Sequence, residues 1–260
     1  MEMHPRLIYC SITGYGQSGR RRDQAGHDLN YNAAAGVLGM TGNPVGGPVV
    51  PGPPIADMVG GGFQALTAIL AALIQRGKTG EGCTLDIAMS EGLLALLVLA
   101  QARMAGGSGE PGLGDDLLTG MLPNYRIYET ADGHLAVGAL EPVFWQRFLE
   151  AAGLQALKDA PLMGPKAPAT IDAVAAHLKT QSNEAWMERL GPADCCVEPV
   201  MGLADALANP DFIERDRWVN RPEGHSTLRL LTGLPMAPSA AGAAPALNGD
   251  REALEKEFNP

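Results

Sequence analysis

Three short segments of the chain carry side chains that could move a proton next to a carbonyl group. Gly26-His27-Asp28 supplies an imidazole, residues 55–62 place Asp57 before a triglycine, and residues 138–142 carry Glu141. Asp57 is predicted to open an apolar helix as its N-cap, and the triglycine is expected to leave backbone N–H groups uncovered beside it. An imidazole, a carboxylate and amide donors can together remove a proton α to a carbonyl and stabilise the enolate.

The elements expected to position these residues follow α/β order. A continuous β-rich run at residues 7–12 predicts a buried parallel strand, which leads into a glycine-rich turn. A helix is predicted from Asp28 through Gly36, a Pro/Gly loop over residues 43–54, and then the helix that Asp57 opens. That helix is expected to have one apolar face, formed by Phe63, Leu66, Ile69, Leu70, Leu73 and Ile74. A strand at 84–88 and a helix at 91–104 follow.

A glycine-rich stretch at residues 106–114 predicts a boundary. Beyond it, β-rich runs at 125–130 and 134–139 flank the turn 131–133 and predict a hairpin. The other predicted elements are helices at 142–152, about 171–179 and 183–190, a strand at 196–200, a linker at 235–247 and a helix at 250–257. The predicted domains are residues 1–110, the remainder of a large α/β domain; 111–234, a small α/β domain; and 235–260, a linker and C-terminal helix that could return to the large domain.

Composition excludes several function classes. Apolar residues make up 46% and charged residues 18% of the 260 residues, the balance of a soluble globular protein. The net charge of −10 argues against a nucleic-acid partner, because the sequence has no basic stripe to contact a phosphate backbone. Four cysteines without metal-type spacing predict reduced thiols in a cytoplasmic protein. The apolar runs at 63–74 and 93–100 are shorter than the roughly 20 residues that span a bilayer, so no membrane partner is expected.

A set of motifs gives the chain a family resemblance over roughly positions 5–215. The motifs are Pro5-Arg6-Leu7-Ile8-Tyr9, Gly14-Tyr15-Gly16-Gln17, Gly26-His27-Asp28-Leu29-Asn30-Tyr31, Ile55-Ala56-Asp57, Arg76-Gly77-Lys78-Thr79-Gly80, Tyr128-Glu129-Thr130-Ala131-Asp132-Gly133, Ala139-Leu140-Glu141-Pro142 and Asp194-Cys195-Cys196-Val197-Glu198-Pro199-Val200. The chain resembles the α-methylacyl-CoA racemases, within the class III CoA-transferase (CaiB/BaiF) superfamily. The resemblance implies that superfamily's fold, here a partial doubly wound, CoA-binding large domain plus a smaller α/β domain.

The resemblance also implies a reaction and its residues. Such enzymes invert the α-carbon of 2-methylacyl-CoA thioesters by 1,1-proton transfer, with no metal or redox cofactor, and the CoA thioester is the substrate. His27, supported by Glu141, would serve one face of the α-carbon and Asp57 the other. The substrate- or CoA-binding candidates are Gly14, Tyr15, Gly16, Gly26, Asp28, Asn30, Tyr31, Gly60 and Gly61. Relatives are interlocked homodimers whose active sites lie between the large lobe of one chain and the small lobe of the other.

Two departures from the family leave alternatives open. Family members carry an additional N-terminal portion, on the order of 100 residues, that this chain is expected to lack, and Met1 need not be the true start. The basic cluster at residues 20–22 also replaces a Pro-containing turn. One alternative is a class III CoA-transferase with Asp57 as nucleophile, against which His27 and Glu141 favour the racemase. Another is an inactive fragment, or a subunit that needs a separate N-terminal half. The acyl group stays open.

Overall fold

The computed structural model describes residues 4–215, 218–220, 226–228 and 251. The chain divides into two compact units, one ending at Pro199 and one beginning at Val200. The predicted linker at 235–247 lies outside the described residues, as does the predicted helix at 250–257 apart from Arg251, which is helical. The domain boundaries expected at residues 110 and 234 stay predictions.

The first half of the first unit is a parallel two-stranded sheet with helices between its strands. Its elements are β1 (Ile8–Thr13), α1 (Asp28–Ala34), β2 (Gly42–Asn43), β3 (Gly47–Pro48), a π-helix (Ala56–Phe63), α2 (Gln64–Thr79) and β4 (Cys83–Ala88). In the parallel pair β1 and β4, Ile8 lies opposite Cys83. Parallel strands need a crossover connection, here the helices between them, and α2 packs on both strands. The strands predicted at 7–12 and 84–88 and the helix predicted from Asp28 are confirmed, as is the parallel pairing of the first strand. The expectation that this strand is buried is wrong: no residue of β1 is buried, because among the described residues it pairs with β4 alone.

A small antiparallel hairpin, β2 with β3, forms where the sequence predicts a loop over residues 43–54. Asn43 pairs with Gly47 across it. The Asn43 side-chain oxygen accepts hydrogen bonds from the N–H groups of Val45 and Gly46. Such an asparagine turn closes the hairpin locally, and Pro/Gly composition alone does not distinguish it from an irregular loop.

The helix predicted to open at Asp57 begins one residue earlier and is a π-helix over its first eight residues. Asp57 therefore lies inside the first turn, and the prediction that it is the N-cap is wrong. Hydrophobic periodicity does not separate i→i+4 from i→i+5 hydrogen bonding over so short a run. The combined run Ala56–Thr79 has 24 residues, long and apolar enough by length and composition to cross a membrane. It packs on β1 and β4, but only 22% of its apolar window is buried in the described residues.

The apolar face predicted for this helix is largely exposed. The large side chains of that face are between 40% and 64% exposed at Phe63, Leu66, Leu70, Leu73 and Ile74. The buried residues of α2 are the small Ala65 and Ala72. The large apolar residues thus recur with helical periodicity, as predicted, but no other described segment covers them fully.

The helix predicted over 91–104 is divided into three pieces. They are α3 (Met89–Gly92), a 3₁₀ segment (Leu93–Leu97) and α4 (Val98–Ala105). At the end of α3, a Cβ on Gly92 would lie 2.3 Å from the carbonyl oxygen of Gly60. The first piece is therefore set against the π-helix by a close backbone contact that periodicity along the sequence does not reveal.

The second half of the first unit is an antiparallel sheet covered by helices, which we call the small lobe. Its elements are β5 (Tyr125–Glu129), β6 (His134–Gly138), α5 (Pro142–Ala152), α6 (Ala167–Leu178), α7 (Asn183–Leu190) and β7 (Val197–Pro199). The strand order is β5-β6-β7. The predicted hairpin, the strand at 196–200 and the helices at 142–152 and 183–190 are confirmed. The α6 helix begins four residues before its predicted start because a proline in its first turn favours initiation there.

The small lobe encloses a dense apolar core. The core consists of Tyr128, Leu135, Val137, Ala139, Trp145, Phe148, Leu149, Ala152, Val174, Leu178, Trp186, Leu190, Cys195 and Val197. On β6 the buried residues Leu135 and Val137 alternate with more exposed neighbours, as expected for a sheet with one covered face.

The described part of the second unit contains two short helices and a hairpin. They are α8 (Leu203–Leu207), α9 (Pro210–Glu214), β8 (Trp218–Asn220) and β9 (Ser226–Leu228). The Asn209 side chain caps α9 by accepting a hydrogen bond from Asp211 N–H at 2.9 Å. These four elements were not predicted from the sequence.

Candidate active site

His27 occupies the N-cap position of α1, with an extended backbone. Its N–H donates to the side-chain oxygen of Asn30 at 3.0 Å, and its carbonyl accepts from Asn30 N–H at 2.8 Å. The backbone of His27 is thus held at the helix start while the imidazole is exposed. In the structure Asn30 acts as a capping residue, and its predicted role in the substrate pocket stays a prediction.

A hydrogen bond to Asp28, the residue after His27, holds the backbone of Asp57 at the start of α1. The Asp57 N–H donates to Asp28 Oδ1 at 3.0 Å, which joins the start of α1 to the start of the π-helix across 29 residues of sequence. The residue Asp57 is exposed, as is His27. The imidazole and the carboxylate singled out from the sequence therefore lie on adjacent elements and are both open to a ligand.

Asn32 fixes the orientation of the Asp28 carboxylate. Its amide nitrogen donates to Asp28 Oδ2 at 2.7 Å and to the Asp28 carbonyl at 2.9 Å. Asn32 is fully buried. Sequence reasoning missed this residue, although the i, i+4 spacing of Asp28 and Asn32 on a helix is a signal that could have found it.

Tyr31, which is buried, packs beneath the segment that precedes His27. Its hydroxyl donates to the Gly26 carbonyl at 2.6 Å, and its ring meets that of Tyr15 edge-on with centroids 5.1 Å apart. Burial raises the pKa of the Tyr31 hydroxyl, and the charges of Tyr15 and Asp57 raise it further. A Cβ on Gly14 or Gly26 would lie 2.5 or 2.7 Å from the Tyr31 ring, so a larger residue at either position would displace that ring.

The glycine-rich turn after β1 is held by two residues of the β4–α3 region that sequence reasoning did not select. Both Asp86 carboxylate oxygens accept from Gln17 N–H at 3.0 Å. Ser90 donates its N–H and its hydroxyl to the Gly14 carbonyl at 3.1 and 2.9 Å. Gly16 has a φ of +83°, a conformation that favours glycine. The CoA-binding role predicted for Gly14, Tyr15 and Gly16 stays a prediction.

The basic cluster at residues 20–22 packs partly on this turn. The Arg21 guanidinium lies 3.7 Å from the centroid of the Tyr15 ring, and its Nε donates to Gln24 at 2.9 Å. Arg22 pairs with Asp23, which is largely exposed. One arginine of the cluster is therefore part of the Tyr15–Tyr31 packing, and another makes a solvated ion pair.

The triglycine has a packing role in the structure. Gly60 and Gly61 are buried, and a Cβ on Gly60 would lie 2.1 Å from the Met89 carbonyl oxygen. The expectation that these amides are uncovered is therefore wrong, because both glycines lie inside a helix and against α3. Two amides at the start of the π-helix are also engaged: Asp57 N–H by Asp28, and Met58 N–H by the Pro54 carbonyl. Ligand contacts by Gly60 and Gly61 stay predictions.

Glu141 lies elsewhere, as the N-cap residue of α5. Its carbonyl accepts from Phe144 and Trp145 N–H groups. Its residue is exposed, and its carboxylate forms no hydrogen bond or ion pair with the residues that the structure describes. Within one chain, a hydrogen bond to Asp28 thus joins the segments that carry His27 and Asp57, whereas no hydrogen bond or ion pair joins Glu141 to His27 in the described residues.

Comparison with known proteins identifies the family. The sequence pattern of CoA-transferase family III matches residues 1–251. The chain belongs to this family. It is 33% identical to α-methylacyl-CoA racemase of Mus musculus over 92% of its own length and 64% of the racemase. It is 38% identical to succinyl-CoA:glutarate CoA-transferase of the same species over 52% of this chain and 30% of the transferase. The chain thus spans less than two thirds of the racemase that it matches.

Solved structures show the same fold. A CAIB/BAIF family protein from Brucella suis superposes with a TM-score of 0.78 at 23% identity, covering 98% of this chain and 68% of that chain. Rv3272 from M. tuberculosis superposes with a TM-score of 0.71 at 21% identity, covering 95% and 66%. The expected α/β architecture of the class III CoA-transferases is confirmed.

Proposed function

We propose that the protein interconverts the two configurations at the α-carbon of a 2-methylacyl-CoA thioester. The observation that carries the proposal is the placement of an exposed imidazole, His27, and an exposed carboxylate, Asp57, on two elements joined by a hydrogen bond from Asp57 N–H to Asp28. Similarity to a racemase over nine tenths of the chain supports it. The proposal includes no metal or redox cofactor, and it places the reaction in the cytoplasm.

In this reaction the two groups exchange one proton each with the substrate. The Asp57 carboxylate removes the α-proton from one face, and the C–H electron pair moves into the thioester to form an enolate. The His27 imidazolium then protonates the opposite face of the α-carbon, which gives the other configuration. For the other enantiomer the two residues exchange roles. The overall reaction is an isomerisation, so no oxidant, reductant or leaving group is required.

A second copy of the chain completes the proposed site. Asp57 and His27 are open to water in one chain, and Glu141 does not reach His27 within it. In the interlocked homodimer that the family resemblance implies, the small lobe of one chain would cover the site of the other and bring Glu141 to the imidazole. A carboxylate there would orient the imidazole and favour its charged form. Exclusion of water would strengthen the electrostatic interactions with the enolate.

The test is α-proton exchange in heavy water, followed by NMR with each enantiomer of a 2-methylacyl-CoA. We expect exchange and inversion of both enantiomers with the unaltered protein. In His27→Ala and Asp57→Asn, inversion should fall about 10²–10⁴-fold, and exchange should fall as much for the enantiomer whose proton faces the removed group. Asp159→Asn is the control, because its carboxylate is 87% exposed in the small lobe. Unchanged inversion in either site variant would disprove the proposed roles.

A CoA-transferase is the second candidate, supported by the similarity to a succinyl-CoA:glutarate CoA-transferase. In that reaction the Asp57 carboxylate attacks the thioester carbonyl and expels CoA thiolate, which forms a mixed anhydride. The thiolate then attacks the Asp57 acyl carbon, releases the free acid and leaves a covalent aspartyl-CoA thioester. An acceptor carboxylate would take the CoA in two reverse steps. CoA transfer to succinate or glutarate, with trapping of the Asp57 thioester by hydroxylamine, would favour this candidate.

A third candidate is a subunit that needs a separate N-terminal half. The exposed apolar face of α2 and the exposed Tyr9 and Ile12 of β1 favour it. A folded sample with neither exchange nor transfer, which gains activity when the N-terminal third of a racemase relative is added in trans, would support this candidate. A chain that is active by itself would eliminate it.

A further inference from the structure

The two oxygens of the Asp28 carboxylate are divided between two partners. Oδ1 accepts the Asp57 N–H at 3.0 Å, and Oδ2 accepts the amide of Asn32 at 2.7 Å. The same Asn32 amide donates to the Asp28 carbonyl at 2.9 Å. Because the carboxylate is held on both sides, its orientation toward Asp57 is determined before any substrate binds.

The surroundings of Asn32 indicate that stability of the fold does not explain why an asparagine stands at this position. The residue is fully buried, and its side-chain carbonyl oxygen has no hydrogen-bond partner among the described residues. A buried polar atom without a partner is unfavourable, and an apolar residue of similar size would avoid that penalty. The two donated bonds are what the amide contributes, and both end on Asp28.

The position of the Asp57 N–H explains what the carboxylate does there. The first amides of a helix have no carbonyl partner within the helix, and Asp57 is the second residue of the π-helix. Asp28 satisfies this amide from another element, and it follows His27 directly in the sequence. One carboxylate therefore ties the backbone that carries Asp57 to the backbone that carries His27.

We propose that Asp28 is a positioning residue that holds Asp57 in register with His27, and that Asn32 is the residue that locks Asp28. The kinetic consequence rests on the proposed function, because proton transfer from opposite faces requires both groups within a few tenths of an ångström of their working positions. The substrate-pocket role predicted for Asp28 stays a prediction, because each carboxylate oxygen accepts one bond in the chain and can accept another.

The first test does not depend on activity. Hydrogen exchange of the Asp57 amide is measured by NMR in the full chain and in Asp28→Ala, Asn32→Leu and the control Asp23→Asn, whose carboxylate is 85% exposed. We expect protection of the Asp57 amide in the unaltered chain and at least a tenfold loss of protection in the first two variants only. The Leu135 amide of the small-lobe core reports whether each variant is folded. An unprotected Asp57 amide in the unaltered chain would overturn the proposal, and this measurement needs no variant.

The second test separates positioning from general loss of structure. Asp28→Ala and Asn32→Leu should lower kcat about 10–100-fold for α-proton release from the enantiomer whose proton faces Asp57, with KM unchanged. The other enantiomer should still exchange through His27, now with retention of configuration. An equal loss for both enantiomers would show a merely structural role and would overturn the proposal. A protected Asp57 amide without exchange from either enantiomer would instead overturn the proposed function and leave the positioning role intact.

Discussion

The small lobe and the half of the first unit that carries the candidate site differ in how they are held together. Fourteen buried apolar residues form the core of the small lobe, whereas the buried cluster at the site consists of Tyr31, Ala35, Ala56 and Leu93. The site half also leaves Tyr9 56% and Ile74 64% exposed. Stability in the small lobe thus comes from apolar burial, which the site half obtains in much smaller amount.

Both halves contain hydrogen bonds between residues that are distant in sequence, such as the one from Thr130 to Asn183 in the small lobe. In the site half these bonds connect the segments that carry the candidate residues. Carboxylates join Asp28 to Asp57 and Asp86 to Gln17, across 29 and 69 residues of sequence, and Ser90 reaches the Gly14 carbonyl across 76. Regions with few buried contacts are those that proteins open and rearrange most readily. The acid–base candidates thus lie in the less densely packed half, and a few polar contacts determine their placement.

The largest expected change in the free energy of unfolding comes from truncating a side chain in the small-lobe core. Phe148→Ala removes a fully buried ring from the small-lobe core and should destabilise the protein by about 3–5 kcal/mol. Leu70→Ala removes a side chain that is 52% exposed on α2 and should cost less than about 1 kcal/mol. Urea unfolding of both variants measures the difference. An equal loss in the two variants would show that the face of α2 is buried in solution.

A smaller effect is expected where the site half does pack closely. Gly60→Ala would place a Cβ 2.1 Å from the Met89 carbonyl oxygen and should cost about 1–3 kcal/mol as α3 is pushed from the π-helix. Gly77→Ala in α2 meets nothing within 4 Å, so it should stabilise by about 0.5–1 kcal/mol. Thermal unfolding of the matched pair measures both signs. Opposite signs to these would contradict the close π-helix–α3 contact.

The smallest expected effect is a loss of folding stability at alkaline pH, through the hydroxyl of Tyr128. Burial raises the pKa of Tyr128 far above its ordinary range, against a smaller lowering by the charge of Arg126. Because the folded state binds this proton more tightly than the unfolded chain does, the stabilisation is complete below pH 10. It is lost above that value, by at most about 1.4 kcal/mol per pH unit.

Unfolding of Tyr128→Phe by urea between pH 9 and 11 should show a weaker decline in stability than the unaltered protein. The variant also loses the hydrogen bond to the Pro123 carbonyl, so its stability at neutral pH should be about 1 kcal/mol lower. Tyr31→Phe tests the site half in the same way, because burial and the charges of Tyr15 and Asp57 raise the pKa of that tyrosine. An undiminished alkaline decline in Tyr128→Phe would show that this tyrosine does not titrate on unfolding.

The elements that could be predicted from the sequence are those whose signals are local. Apolar runs, the turn Ala131-Asp132-Gly133 and the Pro142 helix start predicted strands and helices that the structure confirms. Residue types and spacing also singled out His27 and Asp57, whose segments are joined in the fold through Asp28. These signals act over a few residues, through backbone preferences, capping and side-chain periodicity. They can therefore be recognised without knowledge of the tertiary structure.

How His27 and Asp57 are held in place depends on contacts that form only in the folded chain. The bond from Asp57 N–H to Asp28, the Asn32 lock and the contact of Gly60 with Met89 join segments that are far apart in sequence or face each other across two helices. Periodicity carries no information on such contacts, because they depend on which surfaces pack together. The same reason explains why the predicted apolar face of α2 and the expected free amides of the triglycine were misjudged: burial is a property of the neighbours, and the sequence of one element does not contain them.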